Sequence, residues 1–363
     1  MINPGRLDRG YEKYAAEYEE KALSVLRSGW YVLGREVEAF ENEFASFVGR
    51  RYCAGVANGL DALYLAFRAL GIGKGDEVIV QANTYIASVM GITMNQATPV
   101  FVEPDEYFGI DPEKIEKAIT DRTKAVLAVH LYGLACDMEK INAVCKKHGL
   151  KLVEDCAQSH GARFDGKMTG SFSDIGCFSF YPSKNLGCFG DGGAVVTDSE
   201  EYLQKIKMLR NYGSAKRYYN EEVGVNSRLD ELQAGLLRVK LTHLEELNKE
   251  RDDIAKAYLE GIDNPLIILP RIREKCNHTW HQFVIRCTGR DELMEYLKEK
   301  GIGTIIHYPV PPHLQKAYAY LGKKKSDFPI SEAMSDEVLS LPIYNGMTKD
   351  EVKTVIDTIN NWQ

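Results

Sequence analysis

Two residues of the 363-residue chain have the types and the setting for chemistry between an amine and an aldehyde. Asp155 ends the apolar run KLVED, and Lys184 follows the apolar run CFSFYP and precedes a glycine-rich turn. A partly desolvated lysine has a lowered pKa and can attack an aldehyde, while a buried carboxylate can keep a pyridine nitrogen protonated. Each has a simpler reading when taken alone, because Asp155 could cap a helix and Lys184 could be a solvated surface charge.

An anion site is predicted beside them, at the start of the segment 58–73. Asn58 can cap a helix there, Asp61 has the reciprocal position of a capping box, and the free first-turn amides can hold a phosphate. Ser179 would add a hydroxyl donor, and the ring of Tyr85 could stack on a pyridine face. The alternatives are an ordinary capped helix and a core tyrosine.

The elements that must position these residues are predicted to form an α/β fold. Apolar runs alternate with amphipathic stretches, which predicts a mostly parallel sheet covered by helices on both faces. Asp155, Ser179 and Lys184 then come from successive strand ends and meet at one edge of the sheet. The predicted strands are 77–80, 98–103, 124–133, 150–155, 175–182 and 192–197, and the predicted helices include 58–73 and 138–149.

A change of pattern divides the chain in two. The long, polar, helix-like stretch 227–262 leads into a strand at HQFVIRC, a helix at RDELMEYLKEKGI, a proline-rich loop and a closing helix. We therefore predict a large domain over 1–240 and a small α/β domain over 241–363.

Composition excludes several classes of protein. The net charge of −7 argues against nucleic-acid or membrane-surface partners, and no stretch has the apolar length of a membrane span, so we expect a cytoplasmic protein. The eight cysteines contain no C-x-x-C pair and are expected to be reduced and mostly buried. His278 and His281, with Cys276, would make a poor metal set and are expected to be structural.

Beyond these residues, nearly the whole chain resembles the DegT/DnrJ/EryC1/StrS sugar aminotransferases, which are fold-type-I pyridoxal-phosphate enzymes. The resemblance is carried by SGWYVLGREVEAFENEFA (28–45), ANGLDAL (57–63), TYIAS, HLYG (130–133), EDCAQSHGA (154–162), FSFYPSKNLG (178–187), GDGGAVVT (190–197) and NSRLDELQA (226–234).

The resemblance implies that pyridoxal 5′-phosphate is bound as a Schiff base on Lys184, with pyridoxamine phosphate as the intermediate form. It implies that Asp155 pairs with the pyridinium nitrogen, Gln158 with the phenolic oxygen, and Tyr85 with the ring face. Ser179 and the amides of Gly59 and Leu60 would hold the phosphate. Leu60 departs from the family, in which many members have a threonine there, so only its backbone contact is carried over.

The resemblance also implies a homodimer with shared active sites, because Asn226 looks like the family asparagine that reaches across the interface. L-Glutamate would leave its amine on the cofactor, and a nucleotide-linked ketosugar would collect it. Lys184 would then move the proton between the substrate carbon and the cofactor.

The sugar is predicted from a narrower resemblance. EDCAQSHGA together with HYPVPPHLQKAY (307–318) is similar to the dTDP-3-amino-3,6-dideoxyhexose transaminases, which aminate C3 of a dTDP-3-keto-6-deoxyhexose of gluco or galacto type. His160 and His307 would lie near the hexose and Tyr308 near the nucleotide, with Tyr31, Tyr218 and Tyr219 as further candidates. Each could instead be a packed structural residue.

Three other functions stay open at this point. The first is a C4 aminotransferase acting on a dTDP- or UDP-4-keto-6-deoxyhexose. The second is a sugar dehydratase on the same fold, which by the family pattern would have histidine rather than Lys184. The third is a regulatory or binding protein that has kept the fold without catalysis.

Overall fold

A seven-stranded sheet forms the centre of the molecule, which a computed structural model describes over residues 1–363. The strands are β1 (Tyr52–Val56), β2 (Glu77–Gln81), β3 (Thr98–Val102), β4 (Thr123–Val129), β5 (Lys151–Asp155), β6 (Arg163–Phe164), β7 (Lys167–Met168), β8 (Ile175–Ser179), β9 (Gly193–Thr197), β10 (Ser214–Lys216), β11 (Tyr219–Asn220), β12 (Phe283–Arg286) and β13 (Val338–Leu341).

The order in the central sheet is β1-β9-β8-β5-β4-β2-β3. The five strands from β8 to β3 run parallel, and β9 is antiparallel to both of its neighbours. The remaining strands form three two-stranded sheets, β6-β7, β10-β11 and β12-β13. The predicted α/β class with a mostly parallel sheet is confirmed.

Helices cover the sheet and build the rest of the molecule. They are α1 (Leu7–Glu12), α2 (Ala15–Ser28), α3 (Arg35–Val48), α4 (Gly59–Ala69), α5 (Ile86–Thr93), α6 (Pro112–Ile115), α7 (Met138–His148), α8 (Glu200–Leu209), α9 (Glu231–Thr242), α10 (Leu244–Gly261), α11 (Arg290–Glu299), α12 (Pro329–Glu337) and α13 (Lys349–Asn360). Short 3₁₀ turns lie at 116–118, 131–133, 312–314 and 316–321. None of the helices combines the length and the apolar character that a membrane span needs.

Local sequence explains the bounds of these helices. Asn58 Oδ1 accepts the Asp61 amide at 2.9 Å and so caps α4, as predicted. Helix α7 ends where Gly149 takes a left-handed conformation, with φ +62°. The stretch 227–262 contains two helices rather than one, because the backbone leaves helical geometry at His243 (φ −104°, ψ 0°).

Two strand predictions differ from the structure. The run 124–133 stays extended only to Val129, since Tyr132 (φ +61°) and Gly133 (φ +107°) turn the chain out of the sheet. Strand β1 was not predicted at all, because YCAGV is short and contains Ala and Gly, which have little preference for strands.

The C-terminal part has its own hydrophobic core. Twenty buried residues between Ile254 and Ile359, among them Trp280 and Phe283, pack around β12-β13, α10, α11 and α13. The chain start joins this part, because Ile2 forms a parallel bridge with Ile302. The division at 240/241 stays a prediction. Seven of the eight cysteines are buried and all eight are free thiols.

Candidate active site

The carboxyl ends of the parallel strands open into a cavity of about 550 Å³. Asp155 is the last residue of β5 and Ser179 the last residue of β8, and Lys184 follows β8 by five residues. Strand β1 runs parallel to β8, since both are antiparallel to β9, so α4 also begins at this edge. The predicted residues lining the cavity are Gly59, Leu60, Tyr85, Asp155, Gln158, Ser179, Lys184, His307 and Tyr308.

Asp155 forms the buried acidic end of the cavity. Its Oδ2 accepts the Ser88 hydroxyl at 2.8 Å, and its Oδ1 accepts the Ala157 amide at 3.1 Å. Burial raises the pKa of Asp155 above its usual range, and the bonds from Ser88 and Ala157 and the charge of Lys184 offset this only in part. A cationic N–H placed against the carboxylate would stabilise its ionised form.

Lys184 faces the same cavity without a hydrogen-bond partner for its amine. Burial lowers the pKa of Lys184 to about 8, and the negative charge of Asp155 works in the opposite direction. A much larger share of neutral amine is therefore present near pH 7 than an ordinary lysine would supply. This is the state that attacks a carbonyl.

The start of α4 forms an anion cradle. The amides of Gly59 and Leu60 belong to the first helical turn, which leaves them without an acceptor inside the helix. Gly59 is required here, because a Cβ at this position would lie 2.5 Å from the Ser179 Cβ. The close approach brings the Ser179 hydroxyl beside the helix N-terminus, whose partial positive charge favours an anion.

Gln158 and the two tyrosines define the other side of the cavity. Gln158 Oε1 accepts the Tyr132 amide at 2.6 Å, which directs Nε2 toward the Tyr308 hydroxyl at 3.0 Å. Tyr85 precedes α5, is half exposed, and lies with its ring centroid 4.9 Å from that of Tyr308. The cavity thus offers a flat aromatic wall and an amide donor.

The two histidines expected near the hexose have different positions. His307 lines the cavity, and its Nδ1 lies 2.8 Å from the Ser340 hydroxyl. Burial, helped by the charge of Lys184, lowers the pKa of His307 to about 4. His160 is fully buried, with its ring packed against Phe178 and Phe180. His160 is not among the residues that line the cavity, and its contact with the hexose stays a prediction.

The remaining predicted residues lie outside the cavity of their own chain. Asn226 is exposed and forms an isolated bridge with Asn211. Tyr31 is 53% exposed, Tyr218 is 82% exposed and Tyr219 is 65% exposed. The fold does not bring these four residues to Lys184 within one subunit.

Several lining residues were not predicted. Ser88 was missed because a serine inside a helix has many ordinary explanations, and only the contact with Asp155 gives it significance. His281 and Gln282 come from the C-terminal part of the chain, and sequence spacing gives no signal that they meet Lys184. His278, considered with His281 as a metal pair, stacks on Trp280 at 3.8 Å instead.

These groups fit pyridoxal 5′-phosphate. The cofactor needs an amine for its aldehyde, a carboxylate for its ring nitrogen, an anion cradle for its phosphate and an aromatic surface for its ring. Lys184, Asp155, the start of α4 and Tyr85 supply these features around one cavity. Each oxygen of the buried Asp155 accepts one hydrogen bond, and a carboxylate oxygen can accept a second one from a ring N–H.

Several known proteins are similar to this chain in sequence and fold. The chain is 54% identical over 351 residues to the dTDP-3-amino-3,6-dideoxy-alpha-D-galactopyranose transaminase of Aneurinibacillus thermoaerophilus, covering 96% of each protein. Its structure resembles the crystal structure of S. venezuelae DesV in complex with a ketimine intermediate, with a TM-score of 0.98, 47% identity and coverage of 99% and 98%. It also resembles NtdA from Bacillus subtilis with bound cofactor PMP, with a TM-score of 0.91, 32% identity and coverage of 98% and 83%.

The cofactor, the fold and the catalytic class are therefore those expected from the sequence. Residues 12–360 match the DegT/DnrJ/EryC1/StrS aminotransferase family, and this chain belongs to that family of pyridoxal-phosphate-dependent aminotransferases.

Proposed function

We propose that the protein transfers an amino group from L-glutamate to C3 of a dTDP-linked 3-keto-6-deoxyhexose, giving a dTDP-3-amino-3,6-dideoxyhexose. The observation that carries the proposal is the cavity shared by Lys184, Asp155 and the N-terminus of α4. The relative that is 54% identical supports the choice of C3, because its name gives a 3-amino-3,6-dideoxy sugar as the product. The same name makes the galacto sugar the first substrate to test.

Each residue of the cavity has a defined role in this proposal. Bound pyridoxal phosphate supplies an electron sink for the carbanion formed at the substrate carbon. The Asp155 carboxylate keeps the ring nitrogen protonated, the Gln158 amide donates to the phenolic oxygen, and Tyr85 covers the ring face. Ser179 and the amides of Gly59 and Leu60 hold the phosphate.

Lys184 acts twice. Its neutral amine binds the cofactor, and once released it takes the proton from the substrate carbon and returns a proton at the neighbouring cofactor carbon. The lowered pKa of Lys184, about 8, suits an amine that must both accept and donate a proton near neutral pH. His307 and Tyr308 line the same cavity and are the proposed contacts to the hexose and the nucleotide.

The functional unit in this proposal is a homodimer in which Asn226 completes the partner's cofactor site. Two features support it: Asn226 is exposed and does not line its own cavity, and large apolar side chains are exposed on the same chain, including Trp30 (64%) and Tyr31 (53%). Tyr31 and Tyr219 are candidate contacts to the partner's substrate. A cytoplasmic location stays a prediction.

The decisive test of the chemistry is Lys184→Ala. We expect complete loss of turnover with an unchanged circular dichroism spectrum, and loss of the visible absorbance that sodium borohydride abolishes in the wild type. Lys249→Gln, on the exposed face of α10, is the matched control and should behave as wild type. A Lys184→Ala protein that still transaminates would refute the assignment.

The shared site has its own test, which is subunit complementation. Lys184→Ala and Asn226→Ala dimers are each measured alone and then after mixing under conditions that exchange subunits. A mixed dimer contains one site with both native residues, so we expect activity to reappear on mixing. Failure of mixing to raise activity, with exchange verified, would rule out a shared site.

The substrate is tested with a panel of 3-keto and 4-keto dTDP and UDP sugars, each with L-glutamate. We expect turnover with the dTDP-3-keto sugars and a 3-amino product identified by NMR. An enzyme that aminates only 4-keto sugars would refute C3 amination while leaving the aminotransferase assignment intact.

A further inference from the structure

A second cavity of about 410 Å³ adjoins the first on another side of Lys184. The two cavities share Ser183, Lys184, His281, Gln282 and His307. The second one extends between the chain start, helices α9 and α10, and the segment 343–345. A substrate joined to the cofactor at the position of the Lys184 amine could therefore extend a short side chain into it.

The lining of this second cavity is basic. Its 23 residues include Lys184, Lys240 and Arg251, together with Arg6, which is paired with Asp8, and no aspartate or glutamate is among them. The chain as a whole has the opposite balance, with a net charge of −7. The positive lining is thus a local feature and does not follow from composition.

Lys240 and Arg251 have only neutral hydrogen-bond partners. Lys240 Nζ donates to the Gly187 carbonyl at 3.2 Å, and Arg251 Nη1 donates to the carbonyls of Trp280 at 3.1 Å and Ile343 at 3.2 Å. Arg251 Nε donates to the Asn345 side chain at 3.3 Å, and Nη2 has no partner. Neither cation forms a salt bridge, although Arg251 is only 8% exposed.

Burying cations together without a counter-charge is unfavourable. Burial, together with the charge of Arg251, lowers the pKa of Lys240 to about 8. Burial lowers the pKa of Arg251 to about 10, and the charge of the neighbouring Glu250 offsets this only in part. His281 is 4% exposed, and its Nδ1 has no hydrogen-bond partner. An anion in this cavity would neutralise the excess charge and provide an acceptor for the free donors.

We propose that the basic pocket, defined by Lys240, Arg251 and His281, binds the side-chain carboxylate of the amino donor. This inference rests on the proposed aminotransferase function, with L-glutamate as donor. Two methylene groups separate the reacting carbon of L-glutamate from its second carboxylate, so that group must be recognised close to Lys184, where the pocket lies. In the proposed function, the dTDP-sugar uses the other cavity, which is lined by Tyr85, His307 and Tyr308.

The pocket also gives a physical basis for donor choice. A site built to bind a second carboxylate discriminates strongly against amino acids that lack it, because its buried cations would then stay without a counter-charge. Monocarboxylic donors such as L-alanine would fit sterically and still be rejected.

The test measures binding of unreactive analogues to the cofactor-loaded enzyme by calorimetry. Glutarate has two carboxylates and no amine, and glutaramide is the uncharged diamide of the same length. We expect Lys240→Gln to weaken glutarate binding about 10- to 100-fold while changing glutaramide binding less than threefold. Lys240→Arg keeps the charge and should retain glutarate binding within about tenfold, and Lys249→Gln on the exposed face of α10 should not change it.

The results separate this inference from the proposed function. If the wild type transaminates with L-glutamate but Lys240→Gln binds glutarate as the wild type does, the pocket assignment is wrong and the function stands. A wild-type enzyme that does not transfer the amine of L-glutamate would refute the proposed function itself. Loss of dTDP binding in Lys240→Gln, with glutarate binding unchanged, would assign the pocket to the nucleotide phosphates and overturn the donor site.

If Lys240→Gln fails to fold or to load its cofactor, Lys240→Met replaces it in the same measurements. Methionine keeps most of the length of the lysine side chain and removes the charge, so the same loss of glutarate binding is expected.

Discussion

Glu154 and Asp155 are neighbours at the end of β5, yet they occupy opposite environments. Glu154 is fully buried, and it accepts hydrogen bonds from the amides of Gly170, Phe172 and Ser173, from the Ser173 hydroxyl and from His130, at 2.7–3.0 Å. Asp155 faces the cofactor cavity with two donors. Successive side chains of a strand point to opposite faces, which is why one residue step separates the two environments.

The difference shows that burial alone does not decide the state of a carboxyl group. Burial would raise the pKa of Glu154, but the bonds from His130 and the other donors bring it below its usual value. The same burial raises the pKa of Asp155, which has fewer donors. The hydrogen bonds of Glu154 are therefore all made within the protein, whereas Asp155 can accept a further bond from a cationic N–H.

The geometry also assigns His130 to the structural hydrogen-bond network around Glu154. Its Nδ1 accepts the Cys136 amide at 3.1 Å, so the proton is on Nε2 and is donated to Glu154 Oε1 at 3.0 Å. With Cys156 these residues form a buried group of potential metal ligands, but the donors around Glu154 already satisfy its oxygens.

Among the changes that test the contrast between Glu154 and Asp155, the largest effect is expected for Asp155→Asn, measured as turnover with L-glutamate and the ketosugar. The amide cannot stabilise a protonated ring nitrogen, so kcat should fall about 10³-fold. The melting temperature of the cofactor-free protein should stay the same or rise, because a buried charge with few partners is removed. A variant that keeps a tenth of the turnover would contradict the contrast between the two carboxylates.

Glu154→Gln should have the converse result, a loss of stability. The amide nitrogen would face several donors that now bond to a carboxylate, and we expect a decrease in the free energy of unfolding of about 3–5 kcal/mol. Urea denaturation measures it, with the exposed Glu245→Gln as control. A change below about 1 kcal/mol would show that the Glu154 network is not structural.

The pH dependence of cofactor loading tests the state of Lys184. Only the neutral amine attacks the aldehyde, and with a pKa of about 8 its fraction rises about tenfold between pH 7 and pH 9 and then levels off. The rate at which visible absorbance appears on adding pyridoxal phosphate to the cofactor-free protein should follow that curve. A rate that keeps rising through pH 10 would indicate an ordinary lysine.

Ser88→Ala should give the smallest effect of the series. It removes the donor to Asp155 Oδ2, which raises the pKa of Asp155 further and should lower kcat about five- to tenfold. Thr84→Val is the matched variant, because Thr84 lies 2.7 Å from the Ser88 hydroxyl and does not contact Asp155. Equal effects of the two variants would show that the hydroxyl pair acts through packing rather than through Asp155.

Much of the fold and the cofactor site could be predicted because the relevant signals are local. The runs that became β2, β3, β4, β5, β8 and β9 are apolar enough to be recognised, and parallel strands necessarily bring their carboxyl ends to one edge. The cap at Asn58 is likewise set within one turn of α4. These facts place Asp155, Ser179 and Lys184 together without any knowledge of distant contacts.

The sequence by itself thus determined that Lys184, Asp155 and the start of α4 meet at one cavity of this protein. Only the tertiary structure decided that His160 packs against Phe178 and Phe180, that Ser88 supports Asp155, and that Lys240 and Arg251 share a cavity with Lys184. Contacts such as that between residues 184 and 251 join elements far apart in the chain. They depend on how helices and strands pack in three dimensions. Neither the hydrophobic periodicity of the sequence nor the spacing of its residue types predicts that packing.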